Sequence, residues 1–378
     1  MKNLHCCYDE KFIDGAIGLF DSDFNPDVDN TYVVVSDKPI LHFSHIKNKK
    51  VINVLSSDFI SYICDFDVII LHSLFALPNF SLISSIPREK KVVWFSWGWD
   101  TYSDFYPVIP TKLYEKRTLK NMSFLERIGI MRFRVKYWCK LKKLHKSAID
   151  RVDFYSGVFP YEYDLIKKYV PGFNAKPLDF YYGSTDFFIP NIPSFEYNPN
   201  DKVNLLIGNS AVPTNNHLDI LNYLRNNDTT SWKKIIIPLS YGGTESYKKV
   251  VIDEGVSLFG DRMMPLQSFM PLDKYTRIMS NCKTAIFFHN RQQASDNVFL
   301  QMIYGARVFM SNKNLMFQYL KSKGLKIYSL QDDAKLLTEP MEVEDVLINR
   351  KYLSENYSSN SLISRITEIN KILIKSIK

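Results

Sequence analysis

A chain of 378 residues is too long for one ordinary core and suits two domains of roughly 180 residues each. Its 46% hydrophobic and 14% aromatic residues exclude a disordered chain, and five cysteines without framework spacing exclude a disulfide scaffold and point to reduced thiols in a cytosolic protein. The net charge of +8 is unevenly spread, the start M-K-N-L-H-C-C-Y-D-E has no apolar signal region, and the longest apolar segment, Val68 to Leu77, is far short of the ~20 residues a spanning helix needs, so any membrane contact is expected to be peripheral.

Leu4 to Tyr8 reads as a first strand, and Asp9, Glu10 and Lys11 open a helical stretch through Phe12, Ile13, Ala16 and Phe20. Asp21-Ser22-Asp23 has the D-x-D form of a metal–diphosphate motif, but it follows a helical pattern and reads as a solvated turn. A calcium loop extending to Asp27 and Asp29 is rejected, because Pro26 and Tyr32 stand where the Gly and the bidentate Glu are needed. Tyr32–Val35, Val51–Val54, Val68–Leu71 and Val92–Phe95 are short β-rich runs separated by helix-compatible segments, the pattern of an open parallel α/β sheet. Ligands of such sheets meet the carboxyl ends of the strands. That brings forward His72, a core histidine or a site residue, and Ser96-Trp97-Gly98-Trp99-Asp100-Thr101-Tyr102, where Trp97 and Trp99 give an apolar platform and Asp100 a carboxylate able to take a proton or bind a hydroxyl.

Lys112 to Lys146 is the most basic region, with twelve Lys or Arg against Glu115 and Glu126, interleaved with Met131, Phe133, Val135, Tyr137 and Trp138. Such a segment is either a solvated helix face or a dock for an anionic membrane surface, with Arg132, Arg134, Lys140, Lys142 and Lys143 as the contacting cations. No zinc knuckle, RNP-like signature or recognition helix accompanies the charge, so nucleic acid is not an expected partner. Arg151–Tyr155 reads as a strand and Tyr161–Tyr169 as a helix. Pro190, Pro193, Asn198, Pro199 and Asn200 mark a linker, which divides the chain into residues 1–194 and 195–378.

In the second half, strands are expected at Val203–Ile207, Lys234–Leu239, Val256–Phe259, Thr284–Phe288, Ala306–Met310 and Lys326–Ser329, with helices between them: a doubly wound nucleotide-type domain. Four strand ends carry polar loops. Gly208 is expected to let a ligand approach the backbone, Asn209, Ser210 and Thr214 to offer side-chain donors, and the helix beginning near Asn215 to point free N–H groups at an anion. Ser240 and Tyr241 close the second strand. His289, Asn290, Arg291, Gln292 and Gln293 close the fourth, where the planar fork of Arg291 suits a diphosphate and Asn297 lies one turn into the next helix.

Three stretches together resemble the enterobacterial Fuc4NAc transferases: G-N-S-x-x-x-T-N-x-H of Gly208 to His217, I-I-I-P-L-S-Y of Ile235 to Tyr241, and F-F-x-x-R-Q-Q of Phe287 to Gln293. The first half is similar at His72 and at the W-G-x-D-x-Y pattern of Trp97 to Tyr102. The resemblance implies a GT-B fold, two Rossmann-like domains facing a central cleft. It also implies transfer of 4-acetamido-4,6-dideoxygalactose from dTDP to a polyprenyl-diphosphate-linked sugar in cell-surface polysaccharide synthesis. After Arg291-Gln292-Gln293 the chain has Ala294-Ser295-Asp296-Asn297, where that family is richer in glycine.

The sequence therefore leads to a glycosyltransferase that needs no metal or other cofactor and is peripheral on the inner face of the cytoplasmic membrane. Gly208, Asn209, Ser210, Thr214, Asn215, His217, Ser240, Tyr241, Arg291, Gln292, Gln293 and Asn297 are expected to hold the nucleotide-sugar donor. Asp100 and His72, with Asp9 and Glu10 in reserve, are expected to act on the acceptor beside Trp97 and Trp99. A nucleotide-sugar hydrolase or epimerase would share the donor loops without needing the basic surface. A non-enzymatic anionic-surface binding protein would need the basic surface and not Arg291.

Overall fold

A computed structural model describes residues 1–10, 12–23, 25–187 and 196–378. Lys11, the linker residues Pro190 and Pro193, and the expected cut at 194/195 lie outside these. The chain forms two compact units, one of residues 1–110, 130–184 and 357–378, the other of residues 111–129 and 185–356.

The first unit is built on a parallel sheet of β1 (Lys2–Cys7), β2 (Asp29–Ser36), β3 (Val51–Leu55), β4 (Val68–His72), β5 (Lys91–Phe95), β6 (Phe154–Ser156) and β7 (Lys176–Pro177). Its order is β3-β2-β1-β4-β5-β6-β7, so the winding reverses between β1 and β4. These central strands are buried on both faces, which is why they read as unbroken apolar runs: Leu4, Cys6, Ile69, Ile70, Val93 and Trp94 have no exposed surface. Each such side chain contributes ~1.5–3 kcal/mol by leaving water.

The second unit has strands β8 (Asn204–Ile207), β9 (Lys234–Pro238), β10 (Met263–Leu266), β11 (Cys282–Phe287), β12 (Arg307–Met310) and β13 (Tyr328–Ser329), in the order β10-β9-β8-β11-β12-β13. All pairs are parallel, and the winding reverses between β8 and β11. One expected strand is misplaced. Val256–Phe259 is the last turn of the helix Glu245–Phe259, and the strand begins only at Met263. The helix wins because Thr244 caps it through the Tyr247 N–H, and Tyr247, Val251, Gly255 and Phe259 form a buried i,i+4 stripe that ends at Gly260, φ +54°.

The chain passes between the units more often than a single cut allows. Residues 111–129, the first half of the basic region, belong to the second unit, where Arg117 pairs with Glu254 at 2.6 Å and Glu115 with Lys313 at 2.6 Å. The tail forms two helices, Val343–Tyr357 and Ser359–Ile377, separated where Ser358 caps the second through the Ser361 N–H. The second helix lies on the first unit. There Asp23 accepts hydrogen bonds from Thr367 Oγ1 and Asn370 Nδ2, both at 2.7 Å, and Asp21 accepts from Tyr32 and Lys50, so the D-x-D carboxylates have structural work.

Candidate active site

At the switch point of the second sheet, two loops are stitched together by Asn215. Its Oδ1 accepts from the Asn209 N–H at 3.0 Å and meets His289 Nε2 at 2.9 Å, while its Nδ2 donates to Ser210 Oγ at 3.2 Å and to the Val212 carbonyl at 3.0 Å. An amide that donates to two oxygens through Nδ2 must present Oδ1 to His289, so the His289 proton sits on Nε2 and its buried Nδ1 is an acceptor without a partner among the described residues. Burial, with the charges of Arg291 and His217 adding to it, holds the His289 pKa well below the usual histidine range. A second stitch joins Thr214 Oγ1 to Gln293 Oε1 at 2.7 Å. The post-β8 and post-β11 loops are thus one structure, placed where open parallel sheets bind ligands.

Two expectations for this region change. Gly208 has φ +68°, but the space above it is filled from within: a Cβ there would stand 2.6 Å from Asn215 Oδ1 and 2.9 Å from His217 Nε2. Glycine is needed for close packing of the loop's own side chains. The helix starts at His217, within two residues of the expected Asn215, after the turn Pro213–Asn215 and the left-handed Asn216. The Asn209 and Ala211 amides are also occupied, by Asn215 Oδ1 and the Tyr241 carbonyl, which leaves fewer backbone donors for an anion than expected.

The remaining polar groups surround the same edge. Asn209 donates through Nδ2 to the Tyr241 hydroxyl at 3.1 Å, and its Oδ1 is buried without a partner among the described residues, as are His217 Nε2 and Gln292 Oε1. His217 is fully buried against the Tyr247 hydroxyl, and burial lowers its pKa to about 3. Ser240 is half-buried at the end of β9. Arg291 is half-buried, donating through Nη1 to the Gln292 carbonyl at 2.6 Å, and its own carbonyl is held by Asn314 Nδ2 at 2.8 Å. Asn297, on the helix Ser295–Tyr304, accepts from the Tyr275 hydroxyl at 2.8 Å.

Sequence reading missed the supports of this loop. Asn290 is held by Glu115 Oε1, the Lys112 carbonyl and Ser311 Oγ. Asn216 spans the Phe288 and Leu113 carbonyls and accepts the Glu115 N–H. Asn216 in a left-handed conformation was the available signal, since Asn tolerates it better than most residues.

In the first unit the expected acid–base residues prove to be anchors. Asp100 has no exposed surface, and all its lone-pair positions are taken: by the Leu74 N–H and Trp94 Nε1 on Oδ2, and by Ser96 Oγ and the Trp97 N–H on Oδ1. It fixes the Trp97–Gly98–Trp99 turn and has no position left for an incoming proton. His72 is equally enclosed. Its Nδ1 meets the Tyr182 hydroxyl at 2.8 Å and its Nε2 meets His5 Nδ1 at 3.0 Å, while His5 Nε2 meets Asn30 Oδ1 at 3.1 Å. Asn3 Nδ2 donates to the same Asn30 oxygen, which identifies it as an acceptor and sets the direction of the line: Tyr182 donates to His72, His72 to His5, and His5 to Asn30. Burial lowers both pKa values, that of His5 to about 4, so the pair is neutral.

Asp9 is also engaged. Burial pushes its pKa up, but the N–H groups of Ser44, His45 and Ile46 outweigh this and hold it below the usual carboxylate value. Glu10, half-buried beyond β1, takes no side-chain hydrogen bond from the described residues. Tyr8, Trp97, Trp99 and Phe75, from the loops after β1, β5 and β4, form an aromatic surface. Tyr8 is 6.3 Å from Trp97 and 6.0 Å from Trp99, and Trp99 stacks on Phe75 at 4.4 Å.

The basic residues of the first unit lie on a helical stretch with an apolar outer stripe: Met131 is 60%, Val135 59% and Trp138 62% exposed. Lys142 Nζ sits 3.7 Å from the centre of the Trp138 indole, and Arg132, Lys140 and Lys143 are exposed beside it. Arg134 differs, being tied to Asp104 at 2.7 Å. Among the described residues no helix is long and apolar enough to cross a membrane.

A family model described as "4-alpha-L-fucosyltransferase glycosyl transferase group 56" matches residues 131–344, more than half of the chain. Among solved structures, Anabaena HepE in complex with UDP and glucose is similar with a TM-score of 0.62 at 10% identity, over 98% of this chain and 99% of that one. A glycosyltransferase from Rickettsia africae gives 0.65 at 10% identity, over 99% and 98%. The N-terminal domain of Candida albicans trehalose-6-phosphate phosphatase gives 0.64 at 10% identity, over 99% and 96%. Likeness at such identities concerns the fold, and the fold is that of the GT-B glycosyltransferases, two α/β units each on a parallel sheet.

Proposed function

Because this chain belongs to glycosyl transferase group 56, we propose that it transfers a fucose-type deoxyhexose from a nucleoside diphosphate to a lipid-linked saccharide. The sequence resemblance favours 4-acetamido-4,6-dideoxygalactose as the sugar, dTDP as its carrier, a polyprenyl-diphosphate-linked acceptor and a role in cell-surface polysaccharide synthesis. The observation that carries the reading is the double stitch of the post-β8 and post-β11 loops through Asn215–His289 and Thr214–Gln293, which sets Arg291 at the switch point of the second sheet.

In this reading the acceptor hydroxyl oxygen bonds to the anomeric carbon as the carbon–oxygen bond to the diphosphate breaks. The bonding pair leaves with the diphosphate, where the Arg291 guanidinium neutralises the growing charge. With Asp100 and His72 enclosed and Asp9 held by three amides, Glu10 is the carboxylate we assign to take the acceptor proton. Charge neutralisation by Arg291 makes a metal unnecessary.

The test is thermal stabilisation by dTDP, UDP, GDP and ADP, each with and without EDTA, for the wild type and for Arg291→Ala. A shift that survives EDTA, is largest for dTDP and is lost in R291A is expected. Absence of a shift with every nucleotide overturns the donor reading, and a shift abolished by EDTA overturns the metal-free mechanism alone.

A further inference from the structure

We infer that the nucleobase of the donor stacks on an aromatic pair, Tyr241 and Phe269, at the carboxyl ends of β9 and β10. This rests on the donor reading of the second unit and deepens it. Phe269 follows β10 with 73% of its surface exposed, and its ring centre is 6.2 Å from that of Tyr241, which is 37% exposed. A single exposed aromatic is ordinary. Two adjoining ones at the ligand-binding edge of a nucleotide-type sheet form an open apolar platform.

Tyr241 is held rigidly against the loop that carries the anion-site residues. Its carbonyl accepts the Ala211 N–H at 2.9 Å and its hydroxyl accepts Asn209 Nδ2 at 3.1 Å. The glycines that follow make this approach possible. Both have positive φ, and a Cβ on Gly242 would stand 2.5 Å from Val212 Cγ2, one on Gly243 2.2 Å from the Ala211 carbonyl oxygen. The ring is therefore fixed beside the post-β8 loop before any ligand arrives, which lowers the entropy cost of stacking.

The two flanks of the anion loops are unlike. On the β12 side the next loop is Ser311-Asn312-Lys313-Asn314, without an aromatic ring, and its Ser311 and Asn314 are buried in support of the post-β11 loop. On the β9–β10 side stand Tyr241 and Phe269. A diphosphate at Arg291 with its nucleoside running toward β10 gives the base a π-face, whereas the opposite direction gives it none. Base–aromatic stacking tolerates any base, so the pair accounts for binding of the nucleoside and leaves the choice of base to polar groups.

The experiment is calorimetric titration of the full chain with dTDP and, separately, with inorganic pyrophosphate, for the wild type, Phe269→Ala, Phe269→Leu and Tyr241→Phe. Phe269 is exposed, so its replacement leaves the core intact. Phe269→Ala is expected to weaken dTDP about tenfold while pyrophosphate affinity is unchanged. Phe269→Leu should fall between, and Tyr241→Phe should keep the wild-type preference for dTDP over pyrophosphate. Wild type that binds both ligands, with Phe269→Ala leaving the preference unaltered, overturns the stacking inference and leaves the anion site standing. Wild type that binds neither overturns the donor reading and this inference with it.

Discussion

Asn215 Oδ1 stands 2.9 Å from His289 Nε2 and 3.0 Å from the Asn209 backbone nitrogen, so one oxygen joins the loops after the two strands where the second sheet reverses. Asn215→Ala would leave two buried donors unsatisfied, at ~1–3 kcal/mol each. The expected result is a folded but less stable protein whose nucleoside-diphosphate affinity falls by about tenfold or more, since the loops lose their mutual register. Asn215→Asp keeps the acceptor, loses both amide donors and adds a negative charge where the two loops meet, so it should also bind nucleotide poorly. Nucleotide affinity within about twofold of wild type in a folded Asn215→Ala protein would remove Asn215 from this role.

Glu10 offers a cleaner separation of binding from chemistry. Glu10→Gln preserves shape and removes basicity, so kcat should fall ~10²–10⁴-fold, as for loss of a general base, while the KM for the donor stays near that of wild type. Transfer within about threefold of wild type would show that another group takes the proton.

Much of the architecture was legible because the central parallel strands are buried on both faces. V-I-I-L-H and N-L-L-I can hardly be read otherwise, and the polar loops that follow them were found by the same logic. The strand expected at Val256–Phe259 failed because a short apolar run does not reveal its period, and the 247-251-255-259 stripe becomes decisive only when the burial of its first members is known. Asp100 and Gly208 were noticed for good reason and given the wrong work. Each stands in a motif at a strand end, but four donors converge on Asp100 and two side chains close over Gly208. Apart from Leu74, the crowding groups lie close in sequence, but spacing alone does not say which way a loop folds its side chains. The place of residues 111–129 in the second unit was hidden for a related reason: an amphipathic helix shows that it has a buried face, and not which core receives it.

Buried histidines give the stability a definite pH dependence. His5, His72, His145, His217 and His289 are all buried, and burial lowers each pKa, to about 4 for His5 and His145 and about 3 for His217. Below the ordinary histidine value near 6.5 the unfolded chain takes up protons that the folded chain refuses. Stability present above that pH is therefore lost as the pH falls toward 4, by up to ~1.4 kcal/mol per pH unit for each histidine. Glu162 opposes this. Its burial raises the carboxyl to about 7, so its contribution is complete below the unfolded carboxylate value and is lost as pH rises through 7. Five histidines outweigh one glutamate, and Tm should drop steadily from pH 6.5 to 4.5. A flat Tm over that range would mean that the histidines are protonated in the folded protein. His145, stacked on Phe80 at 4.5 Å away from the proposed site, is the position to probe: His145→Gln should make the slope shallower.

Membrane association is expected to depend on the outer stripe of the first unit more than on the basic region as a whole. Lys112 to Lys120 lie in the second unit, where Arg117 is bound to Glu254, and Arg134 is bound to Asp104, so these charges are partly committed within the protein. Met131, Val135 and Trp138, bordered by Arg132, Lys140, Lys142 and Lys143, combine apolar insertion with charge in the manner of an interfacial helix. At ~1 kcal/mol for each cation near an anionic surface, neutralising Arg132, Lys140 and Lys143 together should weaken binding to phosphatidylglycerol vesicles by well over about tenfold, and high salt should mimic the change. Trp138→Ala should lower binding to the same vesicles and abolish any blue shift in tryptophan emission that arises at that position. Neutral phosphatidylcholine vesicles should be bound weakly by every form. Equal binding of wild type and the triple variant to anionic vesicles would assign these cations to solvation of the helix face and place acceptor capture elsewhere.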